Sequence, residues 1–237
     1  MDKAIVSRGL VSSRSQAESY IRLGKILVND HIVQKTGFIV DDKDEIKFLG
    51  ESQYVSRAGH KLESVAKLLK LDFRKKIVLD VGSSTGGFTD FAIKHGADKV
   101  LAVDVGTNQL HPSLRTNEKI ELHEKTDIRD FKTDTLPDII LIDVSFISLR
   151  KILPYLCENL MKPNTEIVAM MKPQFEVGRD GLAKGVVKNS KIRRDTIKDF
   201  ELWLKQYFVI LDKHDSGVAG ENGNVERFYL LKKIEHK

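Results

Sequence analysis

Asp80-Val81-Gly82-Ser83-Ser84-Thr85-Gly86-Gly87-Phe88-Thr89-Asp90 lies where a β-branched run, Ile77 to Val81, turns into a helical stretch expected from Thr89 to His95. Glycines at a strand-to-helix turn let a ligand approach the backbone closely, so a nucleotide-type cofactor is expected here. The stretch is not the dinucleotide fingerprint. Gly82, Gly86 and Gly87 read G-x-x-x-G-G in place of G-x-G-x-x-G, and Asp80 stands where it would repel a pyrophosphate. S-adenosylmethionine has no phosphate, and its ammonium and sulfonium charges favour nearby carboxylates.

From Lys75 onward strands and helices alternate. Strands are expected at Ile77 to Val81, Val100 to Val103, Ile120 to His123, Ile139 to Ile142, Glu166 to Met171, Phe208 to Leu211 and Arg227 to Leu231. Helices are expected at Thr89 to His95, Leu149 to Leu160 and Lys191 to Gln206. That alternation predicts an α/β fold with a doubly wound, mostly parallel sheet. Asp80 and Asp143 then end adjacent strands and face the cofactor's cationic end. Asp104 ends the second strand, placed for the ribose hydroxyls, and Asp127 could accept from the adenine amino group or simply cap its turn. Ser83, Gly82, Gly86, Gly87, Phe88 and Val105 complete the expected cofactor pocket.

The N-terminal fifty residues read differently. Ser13 to Leu23 has helical spacing of Ala17, Tyr20, Ile21 and Leu23 behind a serine cap, and Gly24 closes it. A hairpin turning at Asn29-Asp30 follows, with further short strands expected at Gly37 to Val40 and Glu45 to Leu49. Ser13-Arg14-Ser15-Gln16-Ala17 and Ile21-Arg22-Leu23-Gly24-Lys25-Ile26-Leu27-Val28-Asn29-Asp30 resemble the S4 RNA-binding domain, with Asp30 in place of its usual glycine. Arg8, Arg14, Arg22 and Lys25 are candidates for RNA phosphates, the alternative being a solvated helix face. The expected boundaries are 1–50 for this domain, 51–60 for a linker and 61–237 for the second domain.

Four more stretches carry unusual residue choices: Ser56 to Leu62 (SRAGHKL), Asp143 to Phe146, Met171 to Glu176 and Gly223 to Arg227. Together they resemble the ribose 2′-O-methyltransferases of FtsJ type, whose Lys-Asp-Lys-Glu tetrad falls on Lys61, Asp143, Lys172 and Glu226. With the S4-like domain and the wording DVGSSTGGFTD, DVSFISL and KPQFEVGRDGLAKGVV, the chain resembles the haemolysin-named TlyA family of ribosomal RNA methyltransferases. The resemblance implies a Rossmann-like class I S-adenosylmethionine-dependent methyltransferase with a seven-stranded sheet behind a small α+β S4 domain. It also implies a cytidine 2′-hydroxyl of 16S or 23S ribosomal RNA as target. Methyl transfer to oxygen requires a base beside a poorly nucleophilic hydroxyl. Lys172, ending the fifth strand beside Asp143, is the proposed base, and a neighbouring cation such as Lys61 would increase its neutral fraction. Asp143 would orient Lys172, and Glu226 would position Lys61.

The formal charge of +5 favours polyanionic partners. It is concentrated in Lys3, Arg8, Arg14, Arg22, Lys25 and Lys35, and again in Arg179, Lys184, Lys188, Lys191, Arg193 and Arg194. Arg57, Arg179, Lys184 and Lys188 join the expected RNA contacts, and the loop Gly178 to Lys191 is expected to close over RNA. Ribosomal RNA or ribosomal subunits are the expected partners, with the protein a cytoplasmic monomer holding no metal. A single cysteine, Cys157, no signal-like N-terminus and no long apolar run fit a reducing cytoplasm. Two other function classes stand beside the enzyme: a non-catalytic RNA-binding or ribosome-assembly factor, which the intact tetrad disfavours, and a membrane-lytic protein, which the lack of an apolar span disfavours.

Overall fold

A computed structural model describes residues 1–11, 14–22, 24–49, 53–177, 187, 189–220 and 224–234. The chain divides into two compact units, Met1–Arg57 and Ala58–Lys237.

In the first unit α1 (Asp2–Ser7) and α2 (Arg14–Arg22) pack with a three-stranded antiparallel sheet of order β2-β1-β3, made of β1 (Ile26–Val28), β2 (His31–Ile32) and β3 (Ile46–Phe48). Ile5, Ala17, Ile21, Ile26, Val28 and Val33 form its core. Gly24 (φ +66°) ends α2 as expected, its N–H bonding Ile21 O while Lys25 N–H reaches Tyr20 O. Asn29 and Asp30 both have positive φ, as a two-residue hairpin turn requires. The strand expected at Gly37 to Val40 does not form. Phe38 N–H turns back to Lys35 O and Phe38 O accepts from the Met1 amino group at 2.7 Å, so the backbone here is bonded into a turn and to the start of α1, not to a strand.

In the second unit, seven strands take the order β6-β5-β4-β7-β8-β10-β9: β4 (Ile77–Val81), β5 (Lys99–Val103), β6 (Ile120–His123), β7 (Ile139–Ile142), β8 (Glu166–Met171), β9 (Phe208–Asp215) and β10 (Arg227–Lys233). All run parallel except β10, which is antiparallel to both neighbours. The inner strands are buried along their length, which is why they read as continuous apolar runs. Leu153 and Leu156 of α6 (Leu153–Asn159) and Ile197, Phe200 and Leu204 of α8 (Ser190–Leu204) share one core with Leu79, Leu101, Ile140, Ile167 and Tyr229. The helix α4 (Gly87–Lys94) starts two residues before the expected Thr89, with Gly86 (φ +93°) as its cap.

The helix expected over 149–160 is split into a 3-10 turn, Leu149–Lys151, and α6. Pro154 in the first turn of α6 explains the break, because it has no N–H to give to Arg150 O and so cannot continue the helical ladder from the preceding turn. Three helices were not expected from the pattern: α3 (Arg57–Ala66), α5 (Pro112–Arg115) and α7 (Pro173–Glu176). Residues 57–60, at the end of the linker expected over 51–60, belong to α3. No helix among the described residues is long and apolar enough to cross a membrane.

Candidate active site

The parallel order of β5, β4, β7 and β8 gathers their carboxyl ends along one rim, and the loops there carry the acidic residues. Asp80, the fourth residue of β4, is buried; its Oδ2 accepts from Thr89 Oγ1 at 2.6 Å. Its Oδ1 has no hydrogen-bond partner among the described residues, nor has the buried Ser83 Oγ. Burial, with the neighbouring charges of Asp143 and Asp104 adding to it, pushes the Asp80 carboxyl up to about 7. Asp104 is held from both sides, Oδ2 by Ser84 N–H at 2.9 Å and Oδ1 by Gly106 N–H at 2.6 Å, while Val105 beside it is exposed.

Gly82 lets these strands close on one another. Its φ is +81°, and a Cβ there would stand 2.6 Å from Asp143 O. At Gly86 a Cβ would collide with Leu110 and Leu114. Two residues of the expected pocket have other partners within the chain. Phe88 is a core residue, buried with its ring 6.1 Å from that of Phe228. Asp127 caps its turn: Arg129 N–H and Nε bond Oδ1 at 2.9 Å and Arg129 NH2 bonds Oδ2 at 2.5 Å, an embrace that lowers its carboxyl to about 2. Gly87 opens α4 and is buried.

What remains is a rim where the charges of Asp143 and Asp104 bear on a buried Asp80, with two buried oxygens unpartnered among the described residues. Such a site suits a cationic, phosphate-free ligand, and S-adenosylmethionine fits that description. Among the described residues no group of three or more His, Cys, Asp and Glu is arranged to hold a metal ion.

The tetrad residues form two ion pairs. Lys172 Nζ lies 2.6 Å from Asp143 Oδ1 and donates to Ser145 Oγ at 2.8 Å. Lys61 Nζ donates to Glu226 Oε1 at 2.7 Å, with both residues buried and Glu226 Oε2 unpartnered among the described residues. Strand register joins the pairs. Met171 of β8 is opposite Arg227 of β10, so Lys172 and Glu226, the next residues outward on antiparallel neighbours, emerge at the same rim.

Three residues beside the tetrad had no role assigned from sequence. Ser145 shares the Lys172 ammonium. Phe146 is 91% exposed with φ +65°, a backbone conformation that bulky residues rarely adopt, and its ring lies 5.2 Å from that of Phe175. Glu176, whose carboxyl burial raises, receives Ser148 Oγ at 2.6 Å and Leu149 N–H at 2.7 Å and so anchors the far end of the loop that carries Asp143, Ser145 and Phe146. Nothing in local composition marks an exposed phenylalanine; its motif, DVSF, was the only signal.

The expected RNA residues divide. Arg8 gives NH1 to Asp44 O (2.8 Å) and NH2 to Asp41 O (2.7 Å), and Arg14 gives Nε to Asp2 Oδ2 (2.7 Å), so both brace their own unit. Arg22 and Lys35, with Gln34 and Phe38, line a depression of about 450 Å³, and Arg22 Nε is buried with no partner among the described residues. Lys25 is half-buried and Arg57 opens α3. Arg179, Lys184 and Lys188, and most of the loop 178–191, lie outside the described residues. Arg193 bonds Asp215 Oδ1 and Val225 O rather than projecting toward a ligand. A depression of about 620 Å³ bounded by Lys67, Phe73, Arg74 and His95 lies at the opposite end of the sheet from the carboxylate rim.

Comparison with known proteins places two family models on the chain: FtsJ-like methyltransferase over residues 54–233 and S4 domain over residues 1–46. The 23S rRNA (cytidine-2'-O)-methyltransferase TlyA of Campylobacter jejuni is 45% identical over 179 residues, 74% of this chain and 70% of that one. The 16S/23S rRNA (cytidine-2'-O)-methyltransferase TlyA of Mycobacterium tuberculosis is 33% identical over 243 residues, covering 98% and 89%. A solved structure from Streptococcus thermophilus that carries a hemolysin name superposes with a TM-score of 0.77 at 36% identity, covering 99% of this chain and 88% of that one.

Proposed function

This chain belongs to the FtsJ-like methyltransferase family and carries an S4 domain, and from that premise we propose that it methylates the 2′-hydroxyl of a cytidine in ribosomal RNA, with S-adenosylmethionine as donor. The observation that carries this reading is the joining of Lys61 to Glu226 and of Lys172 to Asp143 at the rim where Asp80 and Asp104 gather. Relatives named as rRNA (cytidine-2'-O)-methyltransferases support the choice of substrate.

Bound S-adenosylmethionine supplies an electrophilic methyl group on a sulfonium. Asp104, its carboxylate fixed by two backbone N–H groups, would receive ribose hydroxyls, and Asp80 and Ser83 offer their unpartnered oxygens to the cationic end. Lys172 in its neutral form accepts the ribose proton at Nζ. Asp143 and Ser145 hold that nitrogen in place, so that alignment is set before the substrate arrives. Lys61 presents a second cation near the oxygen that loses its proton, and Glu226 balances it in a buried setting. Phe146 offers an exposed ring face at the same rim, suited to stacking on an unpaired base. In the first unit Arg22 and Lys35 are the basic residues best placed to meet RNA phosphate.

The reading is tested with ribosomal subunits from a strain lacking the modification. Mass spectrometry of digested rRNA is expected to find one or two cytidines gaining 2′-O-methyl only when protein and S-adenosylmethionine are both present. Tight binding to subunits with no methylated nucleotide would replace the enzyme with an assembly factor.

A further inference from the structure

Lys61 and Glu226 meet although 165 residues separate them, one on α3 and the other just before β10. A lysine side chain has many rotamers, and ordering it costs entropy that other contacts can help to offset. Two contacts set the spacing. Ser64, one helical turn beyond Lys61, donates its hydroxyl to Lys61 O at 2.6 Å and accepts Gly217 N–H at 3.0 Å. The loop after β9 is thereby tied to the turn of α3 that carries the lysine. Gly217 permits this approach, since a Cβ there would stand 3.1 Å from Ser64 Cβ.

The same loop is laid along the glutamate. Ser216 N–H bonds Glu226 O at 2.9 Å and Gly220 N–H bonds Asn224 O at 2.7 Å. A Cβ on Gly220 would overlap Glu226 Oε1, the oxygen that receives Lys61, and would lie 2.6 Å from its Cδ. Gly220 is not in the left-handed region, so what a side chain here would displace is the Glu226 carboxylate and not the backbone.

We propose that Ser64, Gly217 and Gly220 are positioning residues that set the Lys61–Glu226 pair and act on methyl transfer only through it. The catalytic part of this inference rests on the methyltransferase reading above. Gly220→Ala and Ser64→Ala are expected to lower kcat by about ten- to a hundredfold, with KM for RNA and affinity for S-adenosylhomocysteine within about twofold of wild type. In single-turnover assays Gly220→Ala added to Glu226→Ala is expected to change the rate by less than about twofold, because the carboxylate it displaces is already gone. An equal loss in both backgrounds, or no loss in the wild-type background, would overturn the assignment.

A second readout needs no methyl transfer. Acetylation of Lys61 in the cofactor-free protein, followed by mass spectrometry, should rise severalfold in Gly220→Ala and Ser64→Ala while that of Lys172 stays unchanged. Unchanged Lys61 labelling in both variants would contradict the clamp even in an active enzyme, and raised labelling in an inactive one would sink the methylation reading alone. Should Gly220→Ala fail to fold, Ser64→Ala carries both measurements.

Discussion

Lys172 is fixed by two partners, Asp143 and Ser145, and its removal tests the base assignment at the scale of one side chain. Lys172→Ala should reduce the methylation rate by about 10²- to 10⁴-fold while S-adenosylhomocysteine binding is retained, a split that single-turnover kinetics and calorimetry can resolve. Asp80 gives a pH signature. Its carboxyl, ordinarily near 3.8, is raised to about 7 chiefly by burial and further by Asp143 and Asp104, so the folded protein holds a proton that the unfolded chain releases. This contribution to stability is complete below about pH 4, declines as pH rises, and is gone above about pH 7. Cofactor affinity should run the other way, rising up to about tenfold between about pH 6 and pH 8 as Asp80 ionises, and staying flat in Asp80→Asn. A rise of the same size in the Asn variant would assign the titration elsewhere. The four residues of the proposed tetrad sit in separate motifs, and only the resemblance to the FtsJ-type pattern joins them in the sequence. For Asp127 the sequence leaves adenine contact and turn capping open, and the bonds from Arg129 supply the capping partner.

At the scale of elements, the strand ends do the positioning. Gly82 joins β4 to the cofactor turn at a positive φ and against Asp143 O. Gly82→Ala should destabilise the protein by about 2 to 3 kcal/mol and abolish cofactor binding, as thermal unfolding with and without S-adenosylhomocysteine would reveal. The parallel strands β4, β5 and β7 are legible because near-complete burial leaves mostly apolar runs with an aspartate at or just past their carboxyl ends. Helix α3 is not, although it bears Lys61: its buried residues Gly59, Lys61, Leu62 and Val65 include a glycine and a lysine, which blur the apolar stripe. The break before α6 is also hidden, although Pro154 is visible in the sequence, because the hydrophobic spacing continues across it. The residues by which β9 and β10 extend beyond Leu211 and Leu231 are polar and give no periodic signal.

At the scale of the whole molecule, the proposed function gives the S4 unit the holding of RNA and the methyltransferase unit its modification. Replacing Arg22 and Lys35 together by alanine should raise KM for ribosomal subunits by about tenfold or more, leave S-adenosylhomocysteine binding unchanged and flatten the salt dependence of RNA affinity. A fall in kcat at unchanged KM would place those two residues outside the RNA contact. The single measurement that bears most directly on the account is transfer of tritium from methyl-labelled S-adenosylmethionine to unmodified ribosomal subunits, with each labelled site mapped by its resistance to alkaline cleavage. Label at a cytidine ribose in the wild-type reaction and none with Lys172→Ala is the predicted result; label on a base, or equal ribose label with the Lys172 variant, would contradict it.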